Sequence, residues 1–98
     1  MTYLKVFRTT EWQAFEADLR FDGSADDMRD GFIHLSTAEQ LQGTLDRHFA
    51  NETGLIIAEV SVAGDPALRL EPSREGALFP HLYRSLVSTD IVDWRPSP

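Results

Sequence analysis

The residues best suited to chemistry lie in two short apolar segments. In GFIHLS (residues 31–36), His34 alternates with aliphatic neighbours, so in a strand it shares a face with Ser36. A capping-box pattern at Ser36 and Glu39 predicts that this strand leads directly into a helix. Free amide groups and the helix dipole at such a junction favour an anion. The plainer alternative is that Ser36 only caps the helix.

The second segment is ALFPHLY (residues 77–83). His81 follows Pro80, which fixes the backbone, and Tyr83 lies on the same face two residues later. This pattern predicts that His34 and His81 lie close together on one concave, ligand-facing surface. Two alternatives are that each histidine is a core residue held by a backbone carbonyl, or that the two bond to each other and fix the packing of two sheets.

An acid and a base, Glu71 and Arg74, precede this segment in EPSR. They could form a surface ion pair, worth about 0–1 kcal/mol. Alternatively, Arg74 offers its planar fork to a phosphate or carboxylate while Glu71 orients a ribose hydroxyl or a histidine. His48, near the end of the second predicted helix, is interpreted as structural. The histidines and Glu71 lack the short spacing of a zinc site, so no metal is expected.

Composition excludes several classes of protein. Nine basic and sixteen acidic residues among 98 give a net charge of −7, which repels phosphate backbones, so no nucleic-acid partner is expected. The chain has no cysteine, and a reducing cytoplasm is the expected location. It also has no apolar run long enough for a bilayer, so no membrane association is expected. The Walker, GxGxxG, GxSxG and HExxH motifs are missing as well.

The length fits one domain, residues 1–98, with a core over about 3–94 and a proline-rich tail at 95–98. Two helices among about six short strands predict an α+β fold. The first helix is expected over 11–19, capped by Thr10 with Gln13, and the second over 37–49. A connector at 21–28 is expected to hold one helical turn capped by Ser24. The expected strands are 3–8, 31–36, 55–60, 68–70, 77–83 and 86–94, and the proline predicts an edge strand or bulge at 77–83.

Buried stripes are predicted from the apolar spacing of the two helices. In the first helix they are Trp12, Phe15 and Leu19; in the second they are Leu41, Leu45 and Phe49.

The two segments GFIHLST (31–37) and LEPSREGALFPHLY (70–83) resemble the signatures of the bacterial domain-of-unknown-function family nine-five-two. The resemblance extends from about residue 3 to 94. It implies a compact α+β fold with two helices packed on short mixed or antiparallel sheets, similar to the ADP-ribosyltransferase fold, in which two small sheets clasp NAD. GFIHLS is also similar to the histidine strand of NAD-dependent RNA 2'-phosphotransferases, whose His-x-Ser pattern is matched by His34 and Ser36. The chain departs from these patterns at Lys5, where that superfamily commonly has histidine, and at Arg84, where the family often has glycine.

The resemblance implies an ADP-ribosyltransferase-like domain that binds NAD or a related ADP-ribose compound. The site it implies has Glu71 and His81 as catalytic candidates, and His34, Ser36, Arg74 and Tyr83 as ligand-binding candidates. Glu71 would stabilise an oxocarbenium-like state while the histidines orient the ligand. The alternative is a non-catalytic module that binds a small anionic metabolite or a partner protein, and Lys5 favours this alternative.

Overall fold

The structure is a computed structural model that describes residues 2–73 and 75–97, and within them it has three helices and eight strands. The helices are α1 (Thr9–Asp18), α2 (Ala25–Asp30) and α3 (Leu41–His48), with a single 3₁₀ turn at Ser88–Asp90. The strands are β1 (Tyr3–Phe7), β2 (Arg20–Phe21), β3 (Ile33–His34), β4 (Ile56–Val60), β5 (Leu68–Pro72), β6 (Leu78–Leu82), β7 (Leu86–Val87) and β8 (Ile91–Pro96).

The strands form small antiparallel sheets. One has the order β1-β4-β8, a second has the order β3-β6-β5, and β2 pairs with β7. Leu4 and Ser36 exchange two backbone hydrogen bonds of 2.7 and 2.8 Å, which ties the segment after β3 to the edge of the first sheet. The α+β class is therefore confirmed, with three helices where two were expected.

Aromatic side chains of α1 and β2 pack around Phe7 of β1. The ring of Phe7 lies 5.1 Å from that of Trp12, 5.7 Å from Phe15 and 4.9 Å from Phe21, measured between centroids. Trp12 and Phe15 are buried, as predicted. Leu19 is exposed, contrary to prediction, because α1 ends one residue earlier and Leu19 takes the left-handed conformation that terminates it (φ 59°).

The helix starts show which capping predictions were correct. Ser24 caps α2, and its hydroxyl accepts from the Asp27 N–H at 3.2 Å, as expected. The predicted cap at Thr10 is wrong, because α1 already begins at Thr9 and the N–H of Arg8 donates to Glu11.

The second predicted helix begins later than expected. Thr37 and Gln40 exchange side-chain to backbone bonds of 3.1 and 3.2 Å, and these hold a turn at residues 38–40 before α3 starts at Leu41. The Ser36–Glu39 capping box and the direct strand-to-helix junction are therefore wrong. The apolar stripe predicted for the second helix, Leu41, Leu45 and Phe49, is only partly buried, and Phe49 lines a cavity.

Two strand predictions are also corrected. β6 lies in the centre of its sheet although it contains Pro80. The missing N–H is tolerated because Pro80 faces Leu35, just past the end of the two-residue β3, and uses its carbonyl to accept from the Leu35 N–H at 3.0 Å. The predicted last strand divides into β7 and β8, and β8 extends through Pro96 into the expected tail. None of the helices formed by residues 2–73 and 75–97 has the length and apolar character needed to cross a bilayer.

Candidate functional site

A cavity of about 360 Å³ lies between β1, α2, β3, β6 and α3. Its walls include all three histidines of the chain, His34, His48 and His81. Among residues 2–73 and 75–97, four basic and four acidic side chains also line it. These described charges balance, and the lining is rich in hydrogen-bond donors.

The predicted proximity of His34 and His81 is confirmed by the pairing of β3 with β6. The two residues are direct partners in the antiparallel register, and their ring centroids lie 5.7 Å apart. Phe32 lies on the same face, with its ring 3.9 Å from His81 and 4.6 Å from His34. Both imidazoles line the cavity, and the aromatic contacts restrict their rotation.

The carboxylate of Asp27 contacts both the backbone and the ring of His34, and it makes four hydrogen-bonding contacts in all. One oxygen, Oδ1, accepts from the backbone N–H of His34 at 3.0 Å and lies 2.7 Å from Nδ1 of the same residue. The other, Oδ2, accepts from Lys5 Nζ and from the Ser24 N–H, both at 2.9 Å. Asp27 and Lys5 are both buried, so this is an ion pair removed from water.

The electrostatic surroundings keep Asp27 ionised. Burial by itself would raise the pKa of this carboxyl, but the hydrogen bond from His34 and the charge and hydrogen bond of Lys5 outweigh burial and hold the pKa well below its usual range. Lys5, which replaces the histidine expected from the family resemblance, thus serves as the counter-ion of Asp27. Its Nζ also donates to the His34 carbonyl at 3.2 Å.

The backbone around Asp27 depends on a glycine. Gly31 ends α2 in the left-handed conformation (φ 84°), and its N–H donates to the Asp27 carbonyl at 2.8 Å. This reversal sends the chain into β3, and so brings His34 back onto the carboxylate of Asp27.

Glu71 and Tyr83 lie behind His81. Nδ1 of His81 is 3.0 Å from Glu71 Oε1, and the Tyr83 hydroxyl donates to the same oxygen. The hydrogen bonds from Tyr83 and His81 hold the pKa of Glu71 below its usual range, and the bond to Glu71 raises the pKa of Tyr83. Because Nδ1 of His81 contacts a carboxylate, Nε2 is the ring nitrogen that can form a hydrogen bond with a ligand.

The remaining predicted site residues have different positions. Ser36 is buried in the cavity wall, and its hydroxyl lies 2.8 Å from the Thr44 hydroxyl, so it neither caps a helix nor presents free amides. The described lining residues do not include Glu71 or Tyr83; both belong to the site through His81. Arg74 lies outside the described residues.

Several lining residues were not predicted. Asp27 was missed because it stood in a segment interpreted as a connector, although its place in the Ser24 capping box was a signal. His48 was interpreted as structural, yet it lines the cavity. Arg8 and Arg47 line the cavity as well, and no sequence pattern marked them. Within residues 2–73 and 75–97, no three histidine or carboxylate side chains converge into a possible metal site.

Comparisons with known proteins identify the family. The model of the family described as "Protein of unknown function (DUF952)" matches residues 6–94, so the chain belongs to that family. No curated protein matches it. The X-ray crystal structure of protein CC0527 from Caulobacter crescentus is similar, with a TM-score of 0.93 and 39% identity over 98% of this chain and 85% of that chain. The solution NMR structure of CC0527 gives a TM-score of 0.87 and 40% identity over 97% and 83% of the two chains.

Proposed function

We propose that the cavity binds a small anionic metabolite of the NAD or ADP-ribose class. One observation carries this proposal: all three histidines, with Lys5, Arg8 and Arg47, line one cavity in a chain whose net charge is −7. Imidazole and guanidinium groups are the donors that phosphate and carboxylate oxygens prefer. A volume of about 360 Å³ is at the lower end of ligand cavities, so a nucleotide would extend beyond it into solvent.

The proposal includes a transfer reaction of ADP-ribosyltransferase type, as the family resemblance implies. The bond between nicotinamide and the ribose carbon would break, and nicotinamide would leave with the bonding electrons. A hydroxyl oxygen of the acceptor, or of water, would form the new bond to that carbon and give its proton to Nε2 of His81. Glu71 holds Nδ1 of His81 and would stabilise the resulting imidazolium, so its effect would be exerted through His81 and not by contact with ribose.

A non-catalytic module is the second candidate, and two contacts favour it. Glu71 is engaged by His81 and Tyr83, so its oxygen has little freedom to contact a ribose directly. Lys5, at the place where histidine was expected, is committed to Asp27. Such a module would bind the same metabolite in the same cavity without breaking a bond, in the cytoplasm, where NAD and ADP-ribose compounds are available.

Calorimetric titration with NAD, ADP-ribose, inorganic phosphate and a short RNA, all at moderate salt, tests the binding proposal. The nucleotides should bind and the RNA should not, because the chain lacks a basic track. Binding of RNA with no response to either nucleotide would overturn the proposal. Release of nicotinamide from NAD, measured on the same sample, separates the enzyme from the module.

Three variants link binding to the cavity. His81→Ala should weaken ADP-ribose binding about tenfold or more, the loss expected when one charge-assisted hydrogen bond is removed. Arg47→Ala should weaken it less, since this side chain is mostly exposed. Arg20→Ala is the matched control, because Arg20 is similarly exposed but does not line the cavity. Equal effects of Arg47→Ala and Arg20→Ala would show that only overall charge matters.

A further inference from the structure

The two ring nitrogens of His34 contact two different carboxylates. Nδ1 lies 2.7 Å from Asp27 Oδ1, and Nε2 lies 3.0 Å from Asp30 Oδ2. The side chain of Asp27 is 1% exposed, whereas that of Asp30 is 33% exposed. One carboxylate is therefore part of the folded interior, and the other lies at the boundary between the cavity and water.

The contact with Asp27 fixes the ring. Asp27 also binds Lys5 and the backbone of Ser24 and His34, so its position is set by four separate donors. Moving it would leave the buried ammonium of Lys5 without its counter-ion. His34 consequently keeps Nδ1 on Asp27 and presents Nε2 in a constant direction.

The contact with Asp30 is of a different kind. Asp30 is the last residue of α2, and its carboxylate is shared between His34 and the exposed guanidinium of Arg29, which donates from Nε at 3.0 Å. The hydrogen bond from Arg29 lowers the pKa of Asp30. Ion pairs at this exposure are weak, because water and salt compete for both partners. Rotation of the Asp30 side chain would free His34 Nε2 together with Nε and Nη2 of Arg29, while Nη1 of Arg29 keeps its contact with Asp26. His34 and Arg29 both line the cavity.

We propose that His34 Nε2 and Arg29 form the anion subsite of the cavity, and that in the ligand-free protein the carboxylate of Asp30 occupies this subsite as an internal substitute for the ligand. A phosphate or carboxylate oxygen of the ligand replaces Asp30 Oδ2 on Nε2 and gains the donors of Arg29. Asp30 is thus an intramolecular competitor that lowers the apparent affinity of the cavity for its anionic ligand. This inference rests on the proposed function, and it names where the anionic group of the metabolite binds.

The test compares Asp30→Ala with Asp26→Ala. Asp26 is a matched control, because it lies in the same helix, lines the same cavity and pairs with Arg29 at 3.3 Å, but makes no hydrogen bond or ion pair with His34 within the described part of the chain. Each variant removes one negative charge, so both should show the same small general gain in anion affinity. Asp30→Ala should bind inorganic phosphate and ADP-ribose roughly two- to fivefold more tightly than Asp26→Ala, the range expected for loss of a weak competing ion pair. Equal affinities of the two variants, or weaker binding by Asp30→Ala, would overturn the inference.

A ligand-free measurement separates this inference from the proposed function. The NMR chemical shift of His34 Nε2 should change in Asp30→Ala and stay near its wild-type value in Asp26→Ala. Adding phosphate to Asp30→Ala should move the Nε2 signal back towards the wild-type position. If wild type binds the probes but the two variants are equal, only the subsite is wrong. If neither wild type nor Asp30→Ala binds phosphate or ADP-ribose, the proposed function fails and the inference fails with it.

Discussion

Asp27→Asn is the most informative single change for the buried part of the site. The substitution keeps the shape of the side chain but removes its charge, so the Lys5 ammonium loses its counter-ion and is left with neutral acceptors such as the His34 carbonyl, at 3.2 Å. Removing one partner of a buried ion pair typically costs about 3–5 kcal/mol. Lys5 and Asp27 are almost fully buried, so solvent screening does not reduce this figure much. We expect a loss of about 3 kcal/mol or more in the free energy of unfolding at neutral pH.

Urea unfolding of wild type, Asp27→Asn, Lys5→Met and the double variant measures the energetic coupling between Lys5 and Asp27. The double variant should be more stable than Asp27→Asn alone, because Lys5→Met removes the ammonium that the first change left unpaired. A loss below about 1 kcal/mol for Asp27→Asn would show that the pair is not held away from water. Strictly additive effects of the two changes would refute the coupling.

The same carboxyl sets a dependence of stability on pH. Its pKa in the folded protein lies below that in the unfolded chain, so the unfolded state takes up the proton first as the pH falls. The contribution of Asp27 to stability is therefore complete above about pH 4, the ordinary pKa range of a carboxyl, and decreases as the pH falls further. Urea midpoints recorded through this range should decline less steeply for Asp27→Asn than for wild type. If the urea midpoints of the two proteins declined in parallel with falling pH, the lowered pKa assigned to Asp27 would be contradicted.

Three further changes test other parts of the structure. Glu71→Gln should lower the pKa of Tyr83, because the carboxylate that raises it is removed, and an ultraviolet titration of the phenol would show no shift if the contact is absent. Gly31→Ala should cost about 1–2 kcal/mol of stability, since only the left-handed backbone opposes the added methyl, and an unchanged urea midpoint would exclude that conformation. Arg84→Met should cost about 1–3 kcal/mol by leaving the largely buried Asp90 without its bidentate partner; a melting temperature equal to that of wild type would contradict this.

Arg84, where the resemblance led us to expect glycine, has a defined place in the fold. Its guanidinium binds both Asp65 and Asp90, and the hydrogen bonds that it donates to these carboxylates raise its pKa against the opposing effect of burial. It therefore has a structural role in holding the turn after β4 to the 3₁₀ turn before β8. The sequence indicated that the residue was unusual, but not which acids it would meet.

Predictions that depended on neighbouring residues were correct at some positions and wrong at others. Ser24 capped a helix because its hydroxyl reaches an N–H three residues along the same chain, and Trp12 with Phe15 formed a buried stripe because helical spacing places them together. Several of the local predictions that failed did so at helix ends. Leu19 lies just past the end of α1 and Thr37 lies before the turn that precedes α3, and competing local bonds set both boundaries. The edge-strand prediction failed inside β6, at Pro80.

By itself the sequence determined the α+β class, the alternation that placed His34 and His81 on the same face of their strands as other polar residues, and the excess of acidic residues. Only the tertiary structure decided that Lys5 would neutralise Asp27, 22 residues away, and that His48 would complete the cavity. The physical reason is that capping and alternation act between residues a few positions apart, whereas the partner of a buried charge is chosen by the packing of the whole chain. A buried ammonium requires a nearby acceptor, but no spacing in the sequence specifies which of sixteen acids supplies it.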